Sequence, residues 1–168
     1  MPMNLILPTL AYEQSYSEYI AELGAEVRYP FPLDFDHHDF PRLLKKLSVF
    51  ANGADLPEGY VPSSSFWLVE DGKLLGVSNL RHHLNERIRK IGGHIGLGIR
   101  PSSRGQGLGS ALLGKNLVNC CNFSGSCGPD RQWKKSDEEK YVYIPPKVSD
   151  GKSRRPADAR PRDPLINA

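Results

Sequence analysis

Glycine recurs at 105, 107 and 109, directly after a proline-led turn and directly before an amphipathic run. The segment Leu97 to Ser110 therefore reads as a strand, a turn at Pro101, and glycines at alternate positions entering a helix. The first turn of a helix leaves backbone N–H groups unpaired, and the helix dipole adds partial positive charge there. Glycines remove the side chains that would block close approach. The product is an anion cradle suited to a pyrophosphate. Arg104 at its lip adds a permanent positive charge with several donors.

The elements around this loop follow from periodicity. Asn4 to Leu7 reads as a short strand stopped by Pro8. Residues 11–24 read as a helix, with Tyr12, Tyr16, Tyr19, Ile20 and Leu23 at helical spacing and Gly24 as its stop. Tyr29 to His38 is rich in Pro and Asp and reads as a loop. Asp39 can cap a second helix, with Pro41 in its first turn and Leu43, Leu44, Leu47 and Phe50 as its apolar face. Ser65 to Glu70 and Lys73 to Leu84 read as strands joined by the hairpin signal Asp71-Gly72. Asn85 to Gly93 connects them to a third strand, His94 to Arg100. In that strand Ile95, Leu97 and Ile99 share one face, and His94, Gly96 and Gly98 the other. Glycines inside a strand mark a place where something approaches the backbone closely.

Two other nucleotide-loop motifs are excluded by spacing. Gly105-x-Gly107-x-Gly109 is not the dinucleotide fingerprint, because Ser110 stands where the third glycine belongs. Gly109 to Asn116 nearly spells a P-loop, but Asn116 replaces the Ser or Thr that meets magnesium, and the run is helical rather than a loop.

Arg104-x-x-Gly107-x-Gly109, with the strand before it, the Pro101 turn and the helix after it, resembles the signature of the GCN5-related N-acetyltransferase (GNAT) superfamily. The runs Arg81-His82-His83-Leu84 and Gly92-Gly93-His94-Ile95-Gly96 also resemble a bacterial subgroup of that family. The resemblance covers about residues 3–117. It implies an α/β (α+β) fold, a mixed and mostly antiparallel sheet flanked by helices, incomplete in its C-terminal half. It implies acetyl-CoA as cosubstrate. Arg104, Gly105, Gln106, Gly107, Leu108, Gly109 and Ser110 would hold the pyrophosphate, and Leu97, Gly98 and Ile99 the pantetheine arm. The implied activity is transfer of an acetyl group to an amine, on a small molecule or a peptide, and the resemblance leaves a homodimer open.

Acetyl transfer to an amine needs the amine neutral, so a base near the thioester helps, directly or through a water. Donors at the carbonyl oxygen help too, and strand N–H groups can serve. His94 is the first candidate base, since it shares a face with Gly96 and Gly98 and histidine titrates near working pH. Its competing role is that of a packed or surface histidine. Glu70, His82 and His83 are weaker candidates on neighbouring strands, and adjacent His82 and His83 point to opposite faces. His37 and His38 lack partners at ligand spacing. Cys120, Cys121 and Cys127 form no zinc signature, so no metal is expected.

Residues 118–168 break from this pattern. They hold only six Val, Ile or Leu, many prolines and charges, and no sustained period. Tyr141 to Ile144 could form one short strand, stopped by Pro145-Pro146. The division expected is thus 1–117 as a GNAT-like acetyl-CoA-binding domain and 118–168 as an atypical, polar, Pro-rich tail, largely disordered or frameshifted. The family's further strand, its Asn-bearing helix and its final hairpin are not found after 117. That abruptness suggests a shifted reading frame near codons 115–118, and with it an alternative role, a non-catalytic remnant. The net charge of +3 lies in the tail and is too small to argue for nucleic acid. No secretion leader or membrane-length apolar run is seen, so a cytoplasmic address and no membrane partner are expected.

Overall fold

The computed structural model describes residues 2–91, 93–123 and 142–143, with side chains described through 90 and from 93 to 118. Strand β1 (Asn4–Ile6) is followed by helices α1 (Glu13–Leu23) and α2 (Phe40–Asn52), with single 3-10 turns at Leu10–Tyr12 and Phe31–Asp34. A meander follows: β2 (Ser63–Glu70), β3 (Lys73–Arg81), a short helix α3 (Glu86–Ile91) and β4 (Ile95–Ile99). A 3-10 turn at Pro101–Ser103 leads into α4 (Leu108–Phe123), and a two-residue β5 (Val142–Tyr143) ends the described chain.

The sheet order is β1-β2-β3-β4-β5, antiparallel through β4, with β5 parallel to β4. This is the mixed, mostly antiparallel sheet flanked by helices that the sequence implied. Local chemistry explains its turns. Asp71 and Gly72 both take positive φ, 47° and 74°, as a tight two-residue hairpin demands. The Asp39 carboxylate accepts the Arg42 N–H at 3.0 Å and caps α2, and Gly53 ends that helix in the left-handed region.

The two faces of the sheet bury different cores. On one face α1, α2 and the 3-10 turn between them lay Tyr16, Tyr19, Phe35, Phe40 and Phe50 against Trp67 and Val77. On the other, α4 contributes Leu108 and Leu112 to a smaller aliphatic cluster with Leu68, Leu75 and Leu97. Asn116, fully buried, fastens α4 to β3: its Nδ2 donates to Ser78 Oγ at 2.9 Å and to the Leu112 carbonyl at 2.8 Å.

Several boundaries differ from the sequence reading. The second and third strands end at Arg81 and begin at Ile95, because the connection between them winds into α3, started by Asn85 Oδ1 accepting the Ile88 N–H at 2.8 Å. Residues 31–34 form a turn of 3-10 helix inside the expected loop. Helix α4 starts at Leu108 rather than near Gly105 and runs on to Phe123, past the break expected at 117. Its start is delayed because Gly105 and Gly107 take positive φ, 80° and 74°, which a right-handed helix excludes. A strand within Tyr141 to Ile144 is present, as β5. The rest of the tail, with the disorder and shifted-frame readings of it, lies outside the described residues.

Candidate functional site

The site is built on the C-terminal half of β4 and the loop that follows it. Backbone direction in β4 is fixed by its ladder with β3. Arg81 N–H donates to His94 C=O at 2.7 Å, and Arg100 N–H to Leu75 C=O at 2.9 Å. An antiparallel ladder alternates, so Gly96 and Gly98 also turn their N–H and C=O toward β3, opposite Asn79 and Val77. Leu97 and Ile99 therefore turn theirs outward. Beside them β5 pairs only with Ile95 and Gly96. From Leu97 onward the outer edge of β4 faces no strand among the described residues. Of the three residues expected to meet a pantetheine arm, Leu97 and Ile99 offer backbone groups to that edge. Gly98 does not, because its groups are spent on β3.

The loop presents its amides at the end of that edge. Ala111 N–H to Gly107 C=O, at 3.2 Å, opens the helical hydrogen bonds of α4. The N–H groups of Leu108, Gly109 and Ser110 precede it and have no acceptor within the helix. A Cβ at Gly105 or Gly107 would meet nothing within 4 Å. These glycines are therefore required by their positive φ, and they leave the mouth of the cradle clear. Arg104, Gly105, Gln106 and Gly107 are exposed and Leu108 is buried as the helix's first anchor.

Arg104 is placed at the lip, but it is engaged. Its guanidinium grips Glu26 through both ends, Nη1 to Oε1 at 3.2 Å and Nη2 to Oε2 at 2.8 Å, while Nε donates to the Ile99 carbonyl at 3.0 Å. The pair is solvent-exposed. A pyrophosphate reaching Arg104 would compete with Glu26 for it.

Gly96 and Gly98 do meet a close approach, as expected of glycines inside a strand. A Cβ at Gly98 would overlap the Tyr29 carbonyl, and one at Gly96 would lie 2.8 Å from the Tyr29 hydroxyl and 3.1 Å from Pro30 Cβ. What approaches this face of β4 is the chain's own Tyr29-Pro30 segment. Tyr19, fully buried on α1, brings its hydroxyl against Gly98, 3.2 Å from the Cβ position, with no hydrogen-bond partner. Burial raises its pKa well above the usual phenol range, against the pull of Arg104.

The candidate bases are dispersed. His94 is half-buried just before β4, roughly 16 Å along the strand from Ile99 at ~3.3 Å per residue. It keeps its alternation with Gly96 and Gly98. His82 directly follows the end of β3: its N–H donates to the Pro62 carbonyl at 2.8 Å, its Nε2 lies 2.9 Å from Ser64 Oγ, and burial, then the neighbouring His83, lower its pKa. Glu70 closes the hairpin opposite Lys73, far along β2 from that histidine.

Sequence reading did not single out Arg100. It is 4 % exposed and donates to Glu22 Oε1 at 2.6 Å, Glu18 Oε2 at 3.2 Å and Ser15 Oγ at 3.2 Å. Glu22 also accepts the Ser102 N–H at 3.1 Å. Burial opposes ionisation of Glu22, yet the hydrogen bonds from Arg100 and Ser102 outweigh it and hold its carboxyl below the usual range. The signal available beforehand was Glu18 and Glu22 one turn apart on α1, which reads equally well as a solvated face.

Comparison with known proteins then settles the lineage. A family profile, that of the acetyltransferase (GNAT) family, matches residues 25–117. The chain belongs to the GNAT family. No curated protein and no solved structure gives a significant match. The match to the GNAT family ends within α4, so it takes in β2 through β4 and the glycine loop. Among the described residues no group of three or more His, Cys, Asp or Glu could hold a metal ion, and no helix is long and apolar enough to cross a membrane.

Proposed function

We propose that this GNAT-family chain is an N-acetyltransferase that takes acetyl-CoA along the outer edge of β4 and transfers the acetyl group to an amine. The observation that carries this is the coincidence of two backbone features. The outward N–H and C=O groups of Leu97, and the outward N–H of Ile99, lead directly to the free amides of Leu108, Gly109 and Ser110 at the start of α4. A long amide-bearing chain ending in a pyrophosphate matches that sequence of donors and acceptors. The open Cβ positions at Gly105 and Gly107 fit such a group.

Acetyl-CoA, when bound, supplies the acetyl group as an activated thioester. The chain's own residues then have three tasks. The amides of Leu108, Gly109 and Ser110, with the α4 dipole behind them, hold the pyrophosphate charge. Leu97 N–H is aimed outward, where it can donate to a carbonyl oxygen that gains negative charge as the C–N bond forms and the C–S bond breaks. His94 is placed to take the amine's proton through a water rather than directly, being set back at the start of β4. The departing thiolate takes up a proton from solvent.

A second reading, a non-catalytic remnant, is favoured by one observation: the lip arginine is already neutralised by Glu26. Calorimetric titration of the full chain with acetyl-CoA decides between them, run beside an Arg104→Glu, Gly107→Glu double variant. Saturable binding that the double variant loses is the expected result. A folded chain with no binding would establish the remnant reading.

A further inference from the structure

On the face of the sheet opposite α4, three polar side chains sit where an apolar floor would be expected. Ser63 and Ser65 on β2 and Asn79 on β3 are 1 %, 5 % and 1 % exposed. Asn79 Nδ2 donates to Ser63 Oγ at 3.1 Å and to Ser65 Oγ at 3.4 Å. Both amide hydrogens are thus committed toward β2. Asn79 lies on β3, between β2 and β4, and its amide oxygen Oδ1 takes no part in these bonds. It is buried with no hydrogen-bond partner. Buried amide oxygens are nearly always satisfied, so an orphan of this kind marks a place where another group belongs.

Its surroundings say which group. Asn79 pairs with Gly96, the last β4 residue that β5 covers, so it stands one strand from the point where the open edge begins. Gly96 has no side chain to fill the space, and the partly exposed Tyr29 and the buried Pro30 lie over it. Oδ1 can only accept, so the missing partner must be a donor. A neutral acceptor also suits an amine that must lose a proton, whereas a carboxylate would hold it charged.

We propose that Asn79, held by Ser63 and Ser65, is the specificity-determining residue for the acceptor: its Oδ1 takes an N–H of a primary amine that displaces Tyr29 from above Gly96. This rests on the acetyltransferase reading above.

The test uses the full chain, 15N-labelled and saturated with coenzyme A, which cannot react. n-Butylamine, 2-phenylethylamine, spermidine and alanine amide are titrated in turn, and the Asn79 side-chain amide and the Gly96 backbone amide are followed by NMR. Saturable shifts at both are expected with at least one amine, and none with its trimethylammonium analogue, which keeps the charge but has no N–H. Asn79→Leu should weaken that amine about 10-fold, read at Gly96, and Asn79→Asp should bind it at least as tightly as wild type. Silence of Asn79 with all four amines, or equal response to the trimethylammonium analogue, overturns the proposal. The two readings separate cleanly. If coenzyme A leaves Leu97 and Ile99 unshifted, the acetyltransferase reading fails; if it shifts them while Asn79 stays silent, only this one does.

Discussion

Arg100 and Arg104 stand four residues apart on one turn, and the protein uses them in opposite ways. Arg100 closes β4 with its side chain 5 % exposed and its donors distributed over Glu22, Glu18, Ser15 and the Leu74 carbonyl. Arg104 opens the glycine loop with its side chain 45 % exposed and a single carboxylate partner. A buried arginine of the first kind cannot be released without leaving charge uncompensated in the core. An exposed pair of the second kind contributes little, about 0–1 kcal/mol, and can be exchanged for another anion. The turn is thereby rigid at the strand end and exchangeable at the ligand end. The same division appears in the glycines. Gly98 is enclosed by Tyr29, while Gly105 and Gly107 face open space.

The contrast is broken most directly at Arg100. Arg100→Met should cost about 3–5 kcal/mol in chemical denaturation, since Glu22, Glu18 and Ser15 each lose one of their donors. Its pH signature has a definite sign. The hydrogen bonds from Arg100 and Ser102 hold the Glu22 carboxyl below the usual carboxylate range, so its contribution is full above that range and is lost as pH falls through it. Wild-type stability should drop on acidification through that window, and the variant should show a shallower drop. Equal slopes would mean that Arg100 does not govern Glu22.

The glycine comparison comes next in size. Gly98→Ala should lose about 1–3 kcal/mol, because the methyl group must displace the Tyr29 backbone rather than a flexible side chain. Gly107→Ala should lose only about 1 kcal/mol, the cost of positive φ with no clash, and weaken acetyl-CoA more than it weakens the fold. Thermal melts and calorimetry on both variants check the order; a Gly98→Ala chain as stable as wild type would remove Tyr29 as the reason for that glycine.

The smallest effect is expected at Glu26. Glu26→Gln frees Arg104 and should change stability by less than about 0.5 kcal/mol while tightening acetyl-CoA several-fold. Unchanged affinity would show that the Arg104 side chain does not reach the ligand.

Much of the frame was legible in the chain because it is encoded locally. Asp71-Gly72 demands a tight hairpin whatever surrounds it, and Asp39 with Pro41 caps α2 from three residues away. The glycine loop was readable for the same reason, since positive φ at 105 and 107 and free amides before Ala111 depend on neighbours in sequence. The extent of α4 was not readable, since Asn119 to Phe123 are weak helix formers that continue a turn already paid for by nucleation.

The sequence by itself determined the main strands and helices apart from α3, their order, the family and the loop. Tertiary structure alone decided which edge of β4 lies open, that Tyr29 fills the face its glycines clear, and that Glu26 holds Arg104 from 78 residues away. The buried orphan at Asn79 belongs to that second group. The physical reason is range: dihedral and capping preferences act within a turn of the chain, whereas hydrogen-bond parity, burial and ion pairing are properties of neighbours that only folding brings together.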